Sequence, residues 1–193
     1  MAQQPRRFVP RLEALDERTL PSVTVFYSPT DGLLLVRGDR ASDVITITDT
    51  GKSDFGSVTV FDHGTAVYFS EGPVTRIQVL TYGGNDTVDY WLTSDLASNR
   101  SVWVDLGRRN DAFTVHMDRQ NLAAGYGLMV QAFGGGGKDR LILDAQQVNI
   151  GPACSLTVDF QGGKGRDTVA FNYHPASVDP TAVVNLTSDQ PTF

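Results

Sequence analysis

A chain of 193 residues with 40% hydrophobic and 9% aromatic side chains is long enough for one packed core and short for two, which excludes a natively disordered protein. Its 19 Asp and 3 Glu against 13 Arg and 3 Lys leave a net charge of −6 with the bases dispersed, so the basic face of a nucleic-acid binder is missing. Cys154 is the single cysteine, which excludes an internal disulfide and a thiolate metal cage, while 19 Gly, 9 Pro and few Glu or Lys favour strands and turns over helices.

In chain order, residues 1–22 stand apart as a sorting-like or flexible segment, and 23–193 read as one domain. Residues 6–20 mix four Arg with three acids, place Leu12 and Leu15 three apart, and stop at Pro21, the pattern of a short amphipathic helix or a solvated arm. No stretch has the length of a membrane span, the first thirty residues lack the apolar core of a secretory leader, and Arg6-Arg7 runs into a segment too polar for a twin-arginine leader. Residues 7–22, with Leu12, Glu13, Leu15, Arg18, Leu20 and Ser22 in matching places, resemble the LEPR-XLL-type N-terminal segment of planctomycete surface and secreted proteins. Asp16-Glu17 inverts the usual Glu-Asp order, and Pro21 replaces a leucine. The repeats that commonly follow that segment are similar to residues 32–47 and 74–88, and the resemblance implies an extracytoplasmic or envelope protein.

After Val23, five segments share one register around an aspartate: Asp43, Asp86, Asp111, Asp139 and Asp167. Before each lie Leu34/Val36, Ile77/Val79, Val102/Val104, Val130/Ala132 and Val158/Phe160; after each come Ile45/Ile47, Val88/Tyr90, Phe113/Val115, Leu141/Leu143 and Val169/Phe171. A spacing of two puts both members of a pair on one face of a strand, so each unit is strand, Gly/Asp turn, strand. One unit cannot bury that face alone, and the aspartates recur at 43, 25, 28 and 28 residues, as stacked repeats do. This pattern predicts an all-β chain: a parallel β-helix or β-solenoid of about five coils. An antiparallel β-sandwich is the competing architecture. The longer first interval holds two alternating runs around Asp62-His63-Gly64, an inserted hairpin or capping coil. The tail 175–193 has one strand-like run, at 182–186, and is expected to cover the final coil.

The turns 134–142 (GGGGKDRLI) and 162–170 (GGKGRDTVA) fit the nonapeptide G-G-x-G-x-D-x-U-x, and those before Asp43, Asp86 and Asp111 are weaker versions. They resemble hemolysin-type (RTX) repeats, which implies calcium between successive turns, so Asp139, Asp167, Asp111 and Asp86 are the candidate metal ligands and calcium the candidate cofactor. RTX nonapeptides follow one another directly, whereas each turn here stands 28 residues from its neighbour. Without metal, the same aspartates can accept hydrogen bonds from turn amides, or be neutralised by Arg109, Lys138, Arg140 and Arg166 nearby.

Other residues carry weaker signals. Asp86 and Asp89 point to opposite faces of one strand, and Asp105 and Asp111 flank a turn where they approach only if the chain folds back, so no acid/base pair for a small polysaccharide-active enzyme is identified. His63, His116 and His174 read as solvated. Trp91, Trp103 and Tyr126 make a glycan platform only if they share a face, with Trp103 otherwise packed beneath the 92–100 loop. Cys154 falls in the apolar alternation of Leu156 and Val158, the place of a buried thiol. The expectation is a non-catalytic structural or interaction protein outside the cytoplasm, with an envelope protein or glycan as partner; a calcium-binding repeat module is the first alternative.

Overall fold

The structure, a computed structural model, describes residues 22–189. The amphipathic segment expected at 6–20 lies outside the described residues. The first two strands are β1 (Thr24–Ser28) and β2 (Leu33–Arg37), followed by β3 (Val44–Asp49), β4 (Val58–Asp62) and β5 (Thr65–Phe69). The second coil is β6 (Arg76–Leu80) and β7 (Thr87–Leu92), the third β8 (Arg100–Asp105), β9 (Ala112–Asp118) and β10 (Asn121–Leu122). The fourth holds β11 (Gly127–Phe133), β12 (Gly136–Gly137), β13 (Arg140–Gln146) and β14 (Asn149–Ile150). The fifth holds β15 (Ser155–Gln161), β16 (Lys164–Gly165), β17 (Thr168–His174) and β18 (Ser177–Val178), and β19 (Val183–Ser188) begins another round.

Alternating Val, Ile, Thr and aromatic residues make these segments strands with one apolar face. That face is buried by stacking. The strand before each turn pairs with its counterpart in the next coil, giving a seven-stranded sheet ordered β1-β2-β6-β8-β11-β15-β19. The strand after each turn does likewise in β17-β13-β9-β7-β3-β4-β5. From β2 to β19 and from β3 to β17 every coil-to-coil pairing is parallel. The chain is therefore a parallel β-solenoid, not a sandwich. All twenty apolar positions aligned on the aspartates face the interior; nineteen are fully buried, and Phe171, in the last coil, is partly so.

Two devices close the N-terminal end. Strand β1 runs antiparallel on β2, and the β4–β5 hairpin packs antiparallel on β3. The hairpin turns on His63 and Gly64, with φ of 47° and 79°; positive φ at both central residues matches the right-handed strand twist. The tail covers the last coil on one sheet: β19 extends the first sheet in parallel on β15, because Val184 and Leu186 continue the inward rows of Leu156 and Val158, while β17 remains an edge strand. A third face, unseen in the sequence pattern, is the short ladder β10-β14-β18.

Candidate functional site

The five turn aspartates form one line along the solenoid. The peptide N–H of Asp43 donates to Asp86 Oδ1 at 2.8 Å, Asp86 N–H to Asp111 Oδ1 at 2.7 Å, Asp111 N–H to Asp139 Oδ1 at 2.9 Å, and Asp139 N–H to Asp167 Oδ1 at 2.9 Å. Each carboxylate thus holds the peptide of the coil before it. One residue earlier a second ladder runs the opposite way: Asn85 N–H donates to Ser42 Oγ, Asn110 N–H to Asn85 Oδ1, and Lys138 N–H to Asn110 Oδ1. Lys138 and Arg166 have no acceptor to offer at this position, so the second ladder stops there.

Burial shapes the acidity of this line. Asp86, Asp111 and Asp139 are almost wholly buried. Burial pushes Asp111 up to about 7 against the donated Asp86 N–H, with the Asp86 and Asp139 charges adding to the rise. Asp139 is pushed up to about 6 by burial, opposed by the Asp111 N–H and reinforced by Asp167. Asp86 is raised by burial first and by the Asp43 and Asp39 charges last. None of the ion pairs among the described residues joins Arg109, Lys138, Arg140 or Arg166 to these aspartates.

Calcium takes six to eight oxygen ligands. What the ladder leaves free is one oxygen per aspartate: Oδ2 of Asp86, Asp111, Asp139 and Asp167 is buried without a hydrogen-bond partner. Three of the turn glycine carbonyls already accept backbone hydrogen bonds, Gly107 O from Gly136 N–H, Gly136 O from Arg109 N–H and Gly135 O from Lys164 N–H. Among the described residues no three His, Cys, Asp or Glu side chains converge as a metal-holding group. The donor set therefore fits calcium poorly. The glycines have another explanation: β12 and β16 stack the two nonapeptide turns directly on each other. A Cβ on Gly137 would overlap the Arg109 carbonyl oxygen, and one on Gly165 that of Gly137.

The other sequence candidates scatter. Asp105 is outward on β8 while Asp111 lies in the buried ladder, so they form no pair. Trp91 is on the outer face of β7, Trp103 on that of β8 in the other sheet, and Tyr126 in the turn before β11, so the three share no face. Trp103 packs on Phe133 at 5.6 Å between ring centroids. Cys154 is buried and points its thiol at the carbonyl oxygens of Leu122 and Ala123. Two histidines are engaged: His63 Nδ1 lies 2.7 Å from Asp62 Oδ1, and His116 stacks on Trp91 at 3.7 Å with Nε2 3.2 Å from Asp89 Oδ1.

Sequence reasoning missed one buried cluster. Arg100 takes the inward position that Leu128 and Leu156 take in the next two coils, and it is 2% exposed. Asp49 meets it with both oxygens, one through Nε and one at 3.0 Å through Nη2, which also donates to Lys52 O. Tyr90 OH and Gly51 N–H donate to the same carboxylate, each at 2.7 Å. Burial and the Asp49 charge hold the Tyr90 hydroxyl well above its ordinary pKa. Burial opposes the Arg100 charge, but Asp49 and Tyr90 together keep its pKa above the usual value. The cluster ties coils one, two and three together.

No family profile matches the chain, and no curated protein and no solved structure is significantly similar to it.

Proposed function

We propose that this is a non-catalytic structural or interaction protein of the extracytoplasmic space, a rigid β-solenoid that presents its flat outer sheets to a partner. The observation that carries this reading is the aspartate ladder. Each residue that would be a ligand in a calcium repeat commits one carboxylate oxygen to holding one coil to the next. The placement outside the cytoplasm rests on the resemblance of residues 7–22 to LEPR-XLL-type segments.

A second reading, calcium binding at the turns, draws on the unpartnered buried Oδ2 atoms. Melting the protein in millimolar calcium and in chelator separates the two. The scaffold reading expects the same transition in both. A chelator-sensitive transition restored by calcium, and abolished by Asp139→Asn, would establish the calcium module instead.

A further inference from the structure

The outer face of the first seven-stranded sheet carries an apolar patch over β1, β2, β6, β8 and β11. Strand register sets its outward side chains in three rows along the solenoid axis. The middle row is Phe26, Leu35, Gln78, Trp103 and Gln131. One flanking row is Thr24, Arg37, Leu80, Asp105 and Phe133, and the other is Ser28, Leu33, Arg76, Ser101 and Met129. Phe26 is 62% and Met129 43% exposed, while Leu35, Leu80, Trp103 and Phe133 are half-buried. Onto β15 and β19 the same rows continue only with Thr157, Asp159, Gln161, Asn185 and Thr187, so the patch ends there.

The rows are self-complementary about β6. Arg37 and Asp105 stand one strand to either side of Leu80, and Leu35 and Trp103 one strand to either side of Gln78. None of the ion pairs among the described residues uses Arg37 or Asp105. Consider a second copy laid face to face with its solenoid axis reversed, on a two-fold axis running along β6. Arg37 of each copy then faces Asp105 of the other, Leu35 faces Trp103, Leu80 meets Leu80, and Gln78 meets Gln78, an amide that both donates and accepts. The Trp103 ring lies over the shallow hollow of about 320 Å³ formed by Phe26, Leu35 and Arg37, an aromatic anchor in a pocket. Arg76, at the rim of the central strand, keeps Asp31 at 4.0 Å. The other face-to-face two-fold, along the solenoid axis, sets Arg37 against Leu33 and Asp105 against Ser101, burying both charges unpaired.

Five strands about 4.8 Å apart, each contributing about five residues, give a footprint of roughly 24 Å by 17 Å per copy, toward the small end of specific interfaces. We infer that the chain pairs with a second copy of itself through this face, the two solenoids running antiparallel. The inference rests on the scaffold reading and names the partner that the sheet is presented to.

Sedimentation equilibrium of the full chain from about 1 μM to about 1 mM tests it, with a monomer–dimer equilibrium of micromolar Kd expected. Leu80→Lys sets two ammonium groups against each other on the two-fold axis, and Arg37→Asp or Asp105→Arg sets like charges opposite each other. Each should weaken the dimer at least about tenfold. Mixing the Arg37→Asp and Asp105→Arg chains should restore dimers, because the mixed pair has opposite charges at both contacts, a recovery that a folding defect does not give. All three side chains point outward, so melting temperatures of the monomers should stay near the parent value. A chain monomeric at every concentration, a dimer indifferent to Leu80→Lys, or single variants that fail to recover on mixing would overturn the inference. So would a dimer that forms only once residues 1–21 are removed, which would make that segment the occupant of the face. Any such failure leaves the scaffold reading to its own test, the calcium and chelator melt.

Discussion

Asp111 shows what one carboxylate does here. Its Oδ1 accepts Asp86 N–H while its own N–H donates to Asp139, and its Oδ2 is buried and unpartnered. Alanine at this position orphans a buried donor, a loss of about 1–3 kcal/mol. Asparagine keeps the acceptor and removes the ionisable group. Urea unfolding at pH 8 should therefore rank Asp111→Asn at or above the parent and Asp111→Ala clearly below it. An asparagine variant as weak as alanine would point to a bound cation. Arg100 gives the second comparison at this scale. Leucine, the residue found at its register position in the next two coils, leaves the Asp49 carboxylate without its buried partner, at a cost of about 3–5 kcal/mol. Adding Asp49→Asn, which still accepts Gly51 N–H, should restore part of that loss, and equilibrium unfolding of the two single variants and the pair reads the coupling.

At the scale of strands and turns, the glycine-rich nonapeptides make the sharpest prediction. Backbone contact between stacked turns explains Gly137: a methyl group there meets the Arg109 carbonyl oxygen, and the turn must open to admit it. Gly137→Ala should lower the melting temperature by several degrees, with or without calcium. Gly64→Ala, where a Cβ meets nothing within 4 Å, should cost only the strain of its φ of 79°, about 1 kcal/mol. These elements differ in how plainly the sequence announces them. Paired apolar residues at a spacing of two, repeated around five aspartates, lead directly to the long strands, and Asp62-His63-Gly64 to the hairpin. The third face is silent because a two-residue strand such as Asn121–Leu122 has no periodicity. Arg100 is hidden for another reason: a lone arginine reads as exposed, and Asp49 lies 51 residues away. The 28-residue repeat does align it with Leu128 and Leu156, so register was the available signal. Likewise, Trp91 and His116 become neighbours only once the coils are stacked. The close backbone contact that demands Gly137 and Gly165 is also silent in the sequence, which does not show which carbonyl passes over each glycine.

For the molecule as a whole, a line of buried carboxyls makes folding depend on pH in an unusual direction. In the unfolded chain Asp111 and Asp139 titrate near 3.8; in the fold they titrate near 7 and 6, and Asp86 is also raised. Across that interval the folded state holds more protons than the unfolded one, so stability falls as pH rises. The stabilising contribution is complete below about 4, is lost through about 6 and 7, and changes little above. Asp179, lowered by the Thr181 hydroxyl and amide, acts oppositely, its share being lost on further acidification. Melting temperature should therefore decline from about pH 5 to pH 8. Replacing Asp111 and Asp139 together by asparagine should flatten the decline, since both acceptors survive and both titrations vanish. A profile that climbs over this range would show the ladder charged and compensated, and the metal-free hydrogen-bonded stack of coils would then be the wrong account of what holds the turns together.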